Sequence, residues 1–551
     1  MNIKNPESSG NLLLSQEVDN LLSYVAIKAN IISRQITDKP VCKVLFPTSY
    51  LHVDFNRIVD FIFATALKVR GVEIIPILCN GFHNDQCSVW PGLFSENFAT
   101  KCDKFCKKPG SILWEGILQY EPLLLTDFEI PEDRAEGEKI ADEISIHNYK
   151  EFEFNGFEIG RQVGIEVRNS NNLARMLDND ICRSELRIHT INAVRMILAY
   201  ERVFDLIEPN RVVGSWHDHF QWSTLFHVAN KRGVHYYSHT MLEQKGCLYF
   251  GRDNYEACEV HGAWESFKDS DVGTLIWEKF DRSLGIRADG KATCFSFYPK
   301  RNPENVSQLR KLLDPNKPVA FFPANTPWDD AVRNHCHIAE DIFDMVHKVV
   351  SYFEERPKYQ LIIKAHPYEQ EFASFDSLPH SLANIIKARW ENIPPNVIFI
   401  DADSPISSFD VYELADVGMV HSTRSGCEMA MYGVPTILTA EAHYRNKGFT
   451  IDIKNDGEFF EVIEEILEHG ESELVIQNRT EIARKYWLLY NSHGYINLGM
   501  FEGGWHQPFQ IKFSDVEHFM PGANDKLDYI CDCIISNRSV FGDNRWPPIS
   551  I

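Results

Sequence analysis

The sequence predicts an α/β protein made of two Rossmann-like domains, and three observations lead to this prediction. Strand–helix–strand patterns occur twice within the first 240 residues, as short apolar runs separated by helical stretches. Five further apolar runs alternate with helical patterns between residues 319 and 470, which is typical of a parallel sheet covered on both faces. The length of 551 residues, with 44% hydrophobic and 24% charged residues, provides material for more than one core.

Composition shifts along the chain predict where these domains begin and end. Prolines and polar residues punctuate the stretch before residue 319, so we place the boundary near 300–316. The region from about 80 to 195, with four cysteines, an acidic stretch and a helical pattern, is predicted to be an insertion in the first domain. The predicted units are a helical extension (1–40), a first Rossmann-like domain (41–300), a second (316–480) and an aromatic-rich tail that packs back on the body (481–551).

Charge and hydropathy exclude several function classes. Lys plus Arg number 55 and Asp plus Glu number 78, a net charge of −23 that disfavours a basic nucleic-acid-binding surface. No apolar run is long enough for a transmembrane helix, and no secretory signal is visible. The 13 cysteines are an odd number, which fits a reducing cytoplasm better than a disulfide framework.

Basic and hydroxyl side chains follow two of the predicted strands of the second domain. Lys364, His366 and Pro367 come directly after the apolar run Leu361-Ile362-Ile363, and this pair of basic side chains suggests a phosphate partner. After the run at 417–420, Ser422, Thr423 and Ser425 form a turn at the start of a helix, where free backbone N–H groups and hydroxyls bind anions. The alternative for the turn is helix capping, and for the basic pair a solvated Lys and a capping His.

Two further groups complete this predicted donor site. Glu428 lies one helical turn beyond the hydroxyl-rich turn, where it would accept hydrogen bonds from a ribose. Tyr444, Arg445 and Lys447 follow a later strand end, in a segment that is equally well explained as a basic loop. Parallel strands bring such turns to one edge of a sheet, so we expect these residues to lie near one another.

The stretch from about 318 to 470 resembles the nucleotide-binding domain of GT-B glycosyltransferases. In particular it is similar to the capsule polysaccharide biosynthesis proteins, a group that includes bacterial Kdo transferases. The resemblance rests on five ordered landmarks: Lys364-Ala365-His366-Pro367, Ala415-Asp416, Ser422 to Glu428, Gly433-Val434-Pro435, and Tyr444 to Asp452.

The resemblance implies a GT-B fold, with the two domains facing a cleft, and a glycosyltransferase that uses a CMP- or NDP-sugar. It implies that His366, Ser422, Thr423, Ser425 and Glu428 contact the donor nucleotide, and that no cofactor is required. The acceptor would be a surface polysaccharide or glycolipid, which places the protein in the cytoplasm, at the inner face of the membrane where the acceptor is lipid-linked.

Two acidic residues of the first domain are candidates for catalysis. Asp218 follows a predicted strand and is flanked by His217 and His219, and Glu243 follows the next strand. A carboxylate at such a position can act as a general base for an acceptor hydroxyl or as a nucleophile in a double displacement. The alternative for either residue is a surface acid or a helix cap.

Cys79, Cys87, Cys102 and Cys106 form the one cysteine cluster of the sequence. Four thiolates suit tetrahedral zinc, so a structural zinc site is one expectation and unrelated buried thiols are the other.

Alternative functions share parts of the same pattern. A sugar-nucleotide 2-epimerase shares the two-domain architecture, and a teichoic-acid-type polyol-phosphate transferase has a similar His-Pro and Ser-rich site. A degenerate GT-B scaffold that binds carbohydrate without turnover is the non-enzyme alternative. P-loop, G-x-G-x-x-G, H-E-x-x-H and G-x-S-x-G motifs are missing, which disfavours the enzyme classes that depend on them.

Overall fold

Two six-stranded sheets form the framework of the molecule. A computed structural model of the chain describes residues 16–36, 39–47, 54–83, 87, 102–215, 220–240, 245–253, 260–289, 297–328, 336–371, 378–503 and 509–540.

The first sheet has the strand order β3-β2-β1-β4-β5-β6, the order of a Rossmann fold. Strands β1 to β5 are parallel, and β6 is antiparallel to β5. The strands are Lys43–Pro47 (β1), Glu73–Leu78 (β2), Leu123–Leu124 (β3), Arg211–Ser215 (β4), His235–Thr240 (β5) and Tyr249–Arg252 (β6).

Helices cover both faces of this sheet. One face packs on α1 and α2, and the other packs on α5 and α6. Helix α5 begins where the Asn179 side chain accepts a hydrogen bond from the Cys182 N–H at 2.8 Å, and it ends at Glu208 in a left-handed conformation. The helices are Gln16–Ser33 (α1), Asp54–Lys68 (α2), Pro131–Glu143 (α3), Ile159–Ser170 (α4), Asp180–Ile207 (α5) and Phe220–Lys231 (α6), with short helical turns at Asp103–Lys107, Lys108–Ser111 and Ile112–Ile117.

The second sheet is parallel throughout and has the order β12-β11-β10-β7-β8-β9. Counted from β7, this is the same Rossmann order seen from the other side. The strands are Val319–Pro323 (β7), Gln360–Lys364 (β8), Val397–Ile400 (β9), Val417–Val420 (β10), Thr436–Leu438 (β11) and Ile451–Asp452 (β12).

Helices from three parts of the chain surround the second sheet. Helices α10, α11 and α14 pack on one face, whereas α7, α8 and α15 contribute to the core on the other face. The helices are Val260–Phe267 (α7), Thr274–Ala288 (α8), Pro303–Leu312 (α9), Ile342–Glu354 (α10), Leu382–Lys387 (α11), Ser408–Tyr412 (α12), Ser425–Met431 (α13), Asp456–His469 (α14), Glu473–Leu489 (α15) and Asp525–Ile535 (α16).

The C-terminal segment returns to the first sheet. After a two-stranded hairpin (Phe501–Glu502, β13, and Gln510–Ile511, β14), helix α16 joins the core around α2. The Phe519 ring lies 6.0 Å from that of Phe61, and the Tyr237 hydroxyl donates to the Cys533 carbonyl at 2.9 Å.

The two sheets confirm the predicted fold class, an α/β protein with two Rossmann-like domains. The stretch before residue 319 differs from the predicted irregular connector because it contains helices, including α9 with Pro303 as its first residue. The short strand β12 was also missed: it lies in the segment for which a donor contact and a basic loop were both left open. Among the described residues, no helix is long and apolar enough to cross a membrane.

Candidate functional site

The strand order of the second sheet marks one point on its carboxyl edge. Strands β7 and β10 are neighbours, and the chain winds away from them in opposite directions, towards β8 and β9 on one side and β11 and β12 on the other. Ligands of open α/β sheets bind at such a switch point, outside the carboxyl ends of the strands. The residues that follow β7 and β10 are therefore the first place to search for a site.

Three buried polar side chains meet this expectation. Asn325 and Thr326 follow β7 and are 4% and 1% exposed, and His421 follows β10 and is fully buried. Asn325 Oδ1, Thr326 Oγ1 and His421 Nε2 make no hydrogen bond to the protein. Other buried polar atoms of the described residues also make no hydrogen bond, but these three follow the two strands of the switch point, which makes them the candidate site.

Ser422 links the two strand ends. Its hydroxyl lies 3.1 Å from His421 Nδ1 and accepts from Asn325 Nδ2 at 3.5 Å. Burial lowers the pKa of His421 to about 4, so the imidazole is neutral at pH 7. The group is thus an uncharged set of donors and acceptors.

The turn before helix α13, where the sequence predicts an anion site, forms hydrogen bonds within itself. Ser425 N donates to Thr423 Oγ1 at 3.4 Å, Gly426 N to the Thr423 carbonyl at 3.0 Å, and Cys427 N to the Arg424 carbonyl at 3.0 Å. A tight turn therefore already uses the N–H groups that were expected to be available to a phosphate. Thr423, Arg424 and Ser425 are half-buried, so this turn still borders accessible surface.

Tyr444 forms a hydrogen bond to this turn, whereas Lys447 forms one to the nearby residue Arg445. Tyr444 is fully buried and its hydroxyl donates to the Thr423 carbonyl at 2.7 Å. A Cβ atom at Gly426 would come within 2.5 Å of the Tyr444 hydroxyl oxygen, so only glycine fits there. Lys447 is 9% exposed and its Nζ donates to the Arg445 carbonyl at 3.3 Å. The role of these two side chains as donor contacts stays a prediction.

Glu428 is likewise held by protein groups. Its Oε1 accepts from Arg287 Nε at 2.7 Å and its Oε2 accepts from the Tyr412 hydroxyl at 2.9 Å. The side chain is 7% exposed. Each carboxylate oxygen can accept a further hydrogen bond, so the ribose contact predicted for Glu428 stays a prediction.

Lys364 lies at the end of β8 as predicted, but its environment is acidic. It is 2% exposed, and Glu369, Asp401 and Asp410 exert the attraction of their charges on its ammonium group. Desolvation nevertheless lowers the pKa of Lys364 to about 8 and raises that of Glu369 to about 8. Lys364 therefore lies in a buried acidic environment, and its contact with a phosphate stays a prediction.

His366 is the described residue of the His-Pro pair that remains accessible. It is half-buried, its Nδ1 accepts from the Tyr368 N–H at 3.2 Å, and its ring lies 5.9 Å from that of Tyr298. A neutral imidazole that accepts through Nδ1 carries its proton on Nε2, where it can donate to an anionic oxygen. Pro367 is buried and starts the short helical turn Pro367–Glu371.

These strand ends form one continuous row. Since neighbouring strands lie about 4.8 Å apart, the ends of β10 and β8 are separated by roughly 10 Å, with β7 between them. His421, Asn325 and His366 thus follow three adjacent strands of one edge.

The catalytic candidates Asp218 and Glu243 lie outside the described residues. The strands that precede them, β4 and β5, are adjacent, and Ser215 pairs with His239 in their register. His239 is fully buried and its Nε2 lies 3.0 Å from Oδ1 of Asp60 in α2.

The cysteine cluster does not supply a metal site in the part of the chain that the structure describes. All four cysteines fall in that part, and no three side chains of the ligating types gather there around a common point. Cys79 instead accepts hydrogen bonds from the backbone of residues 81–83, and burial raises its pKa.

Sequence reasoning missed Asn325, Thr326 and His421 as site residues. The available signal was their position, since each polar residue follows a fully buried strand.

The chain matches no protein-family profile and no curated protein. Among solved structures it is similar to the KpsC β-Kdo 2,4-transferase of Thermosulfurimonas dismutans, with 13% identity, 51% of this chain and 80% of that chain covered, and a TM-score of 0.29. It is also similar to the UDP-GlcNAc 2-epimerase of Neisseria meningitidis, with 10% identity, 80% and 93% covered, and a TM-score of 0.24.

Proposed function

We propose that this chain is a glycosyltransferase that moves a sugar from a CMP- or NDP-activated donor to a polysaccharide or glycolipid acceptor. The observation that carries the proposal is the coincidence of three unpartnered, buried polar atoms with the switch point of the second sheet. Such a position in a doubly wound sheet is where nucleotide ligands bind.

The second sheet supplies the donor half of the proposed site. In this proposal His366, which follows the strand next to that of Asn325, donates from its imidazole to a phosphate oxygen of the departing nucleotide. A donor there offsets the negative charge that develops as the bond from the anomeric carbon to the phosphate oxygen breaks.

The first sheet supplies the acceptor half. Asp218 or Glu243 takes the proton of the acceptor hydroxyl while its oxygen bonds to the anomeric carbon, or one of them forms a covalent sugar intermediate. Both residues follow adjacent strands of the first sheet, β4 and β5, so their positions in the chain support a shared role.

The first test is a thermal-shift panel of CMP, CDP, UDP and GDP with the full chain. We expect one base class to raise the melting temperature, because a ligand that binds only the folded state stabilises it by mass action. The nucleotide that does so defines the donor class for transfer assays. If neither a nucleotide nor a nucleotide-sugar shifts the melting temperature at millimolar concentration, the proposal fails.

The second test is His366→Ala in a transfer assay with the donor so identified. We expect a loss of about 100-fold or more in turnover at an unchanged melting temperature. His469→Ala is the matched control, since His469 is exposed at the end of α14. Full activity in His366→Ala would contradict the phosphate role.

The acceptor half is tested with Asp218→Asn and Glu243→Gln. At least one variant should lose transfer while still binding the nucleotide. Nucleotide release without dependence on an acceptor would favour an epimerase instead, and sugar binding without turnover of any donor would favour a binding scaffold.

A further inference from the structure

The polar atoms at the switch point differ in character from a phosphate site. The Asn325 side chain donates a hydrogen bond from Nδ2 to the Ser422 hydroxyl at 3.5 Å, and its Oδ1 has no protein partner. Oδ1 is only an acceptor, so its partner has to bring a hydrogen. Phosphodiester and diphosphate oxygens bring none.

The two neighbouring atoms can each act as a hydrogen-bond donor or acceptor. Thr326 Oγ1 both donates and accepts, and His421 Nε2 does one or the other depending on which ring nitrogen carries the proton. Neither side chain is positively charged at neutral pH, since burial holds the His421 imidazole neutral. The nearest candidate cation on the adjoining strand, Lys364, lies among carboxylates.

Hydroxyl groups are the chemistry that matches such a set. A hydroxyl donates one hydrogen bond and accepts others, so hydroxyl groups can satisfy Asn325 Oδ1, Thr326 Oγ1 and His421 Nε2, whose residues follow the neighbouring strands β7 and β10. All three side chains are more than nine-tenths buried, which makes each unmade bond costly and each bond to a ligand selective.

We propose that Asn325, Thr326 and His421 form a subsite for the hydroxyl groups of a carbohydrate ring. This subsite rests on the proposed function and adds to it: the ring is either the ribose of the nucleotide or the transferred sugar. The phosphate then lies further along the edge, towards His366, and not on the turn that begins at Ser422.

The key variant is Thr326→Val, which keeps the side-chain shape and removes the unpartnered hydroxyl. Without ligand it should fold with an unchanged or higher melting temperature, because a buried polar atom without a partner is removed. Thr436→Val is the matched control: Thr436 is also fully buried, but its hydroxyl donates to the Val434 carbonyl at 2.8 Å, at the opposite end of β11.

Affinities are measured by calorimetry for a nucleotide, its 2′- and 3′-deoxy analogues, the corresponding nucleotide-sugar, and inorganic pyrophosphate. We expect Thr326→Val to weaken binding of the nucleotide-sugar about tenfold and to leave pyrophosphate binding unchanged. Asn325→Ala provides an independent second variant with the same expected pattern.

The two sources of the ring give different patterns. If the ring is ribose, the free nucleotide is weakened as much as the nucleotide-sugar, and a deoxy analogue binds wild type and Thr326→Val equally. If the ring is the transferred sugar, only the nucleotide-sugar is weakened.

Two results would overturn the subsite: equal weakening of pyrophosphate, or unchanged affinity for every ligand that wild type binds, which would indicate that only water occupies the position. If wild type binds no nucleotide, free monosaccharides separate the two proposals. Monosaccharide binding that is sensitive to Thr326→Val retains the subsite without the proposed function, and no binding rejects both.

Discussion

The carboxyl edges of the two sheets bury polar side chains in different ways. At the first edge, the His239 imidazole and the Asp60 carboxylate lie 3.0 Å apart and join a strand end to a helix. At the second edge, the uncharged side chains of Asn325, Thr326 and His421 each have a buried atom without a protein partner, as do Asp60 and His239 at the first edge. The first edge thus holds an imidazole–carboxylate pair that joins two elements of the fold, whereas the second holds the uncharged set to which we assign ligand binding. Substitutions should therefore affect stability at the first edge and binding at the second.

The largest expected effect is at the first edge. His239→Leu leaves the Asp60 carboxylate, which is 1% exposed, without its partner in the interior. We expect the free energy of unfolding to fall by about 3 to 5 kcal/mol, as for other buried pairs that lose one member. Urea unfolding of the full chain measures it.

The matched variant at the second edge is Asn325→Ala, which removes a side chain of similar burial. It should lose no more than about 1 kcal/mol of unfolding free energy, because only one long hydrogen bond is broken.

At the first edge, the double variant Asp60→Leu with His239→Leu should recover part of the stability that His239→Leu loses, since no charge is left buried. Equal losses in His239→Leu and Asn325→Ala would remove the distinction between the edges.

The next effect concerns pH and His421. Its pKa is about 4 in the folded chain and 6.5 ordinarily, so the unfolded chain binds more protons between these values. The contribution of the neutral His421 imidazole to the free energy of unfolding is therefore present above pH 6.5 and is lost as the pH falls through 4. The free energy of unfolding falls by about 3 kcal/mol in total over this range.

His421→Asn isolates this contribution. Between pH 7 and pH 4.5 it should lose less stability than wild type, by about 2 to 3 kcal/mol, in urea unfolding at each pH. His469→Asn, at an exposed position, should follow the wild-type curve. A His421→Asn curve parallel to that of wild type would mean that the imidazole is not held neutral.

Substitutions at Glu428 and Arg287 have a smaller expected effect on stability. They test whether Glu428 belongs to the set of ligand-binding residues. Glu428→Gln removes the charge that pairs with Arg287, and we expect a loss of about 1 to 3 kcal/mol in unfolding free energy. Arg287→Ala should leave nucleotide affinity unchanged if Glu428 only supports the helix. A higher affinity in Arg287→Ala would show that Arg287 competes with the ligand for Glu428.

The sequence was sufficient for most strands of the two sheets because these strands are short, buried apolar runs, such as 319–322 and 417–420. Proline misled the prediction where it starts a helix instead of ending one. Asn302 caps α9 and Pro303 is its first residue, a favourable position for a residue without an N–H. Strand β12 has only two residues, too few for a recognisable pattern.

The sequence predicted which edge of the second sheet holds the candidate site, but not which side-chain atoms face a ligand. Strand ends placed His366 and Ser422 on one edge, as the order of the sheet confirms. Whether a polar side chain faces a ligand or the interior depends on contacts from distant residues. Arg287 reaches Glu428 across 141 positions, and Asp401 and Asp410 come to Lys364 from beyond the next strand. Local sequence contains no record of these contacts.

The smallest effect concerns the contact between the two halves. Arg175, which precedes α5, pairs with Asp341 at 2.7 Å and Asp344 at 2.6 Å at the start of α10, and its guanidinium lies 4.3 Å from the centre of the Phe343 ring. The arginine side chain is 34% exposed, so solvent screens the pair and we expect Arg175→Ala to cost about 1 kcal/mol or less.

A double-mutant cycle of Arg175→Ala with Asp341→Ala measures this contact directly, and its coupling energy should shrink as salt is added. Arg183→Ala is the control, because Arg183 pairs with Asp180 at 2.8 Å within the first half alone. Loss of the Arg175 contact should also alter the salt dependence of donor turnover, whereas loss of the Arg183 contact should not, if the two edges have to approach each other during transfer. A coupling energy well above 1 kcal/mol that is insensitive to salt would instead make this contact part of the folded core, and the two edges would then belong to one rigid unit.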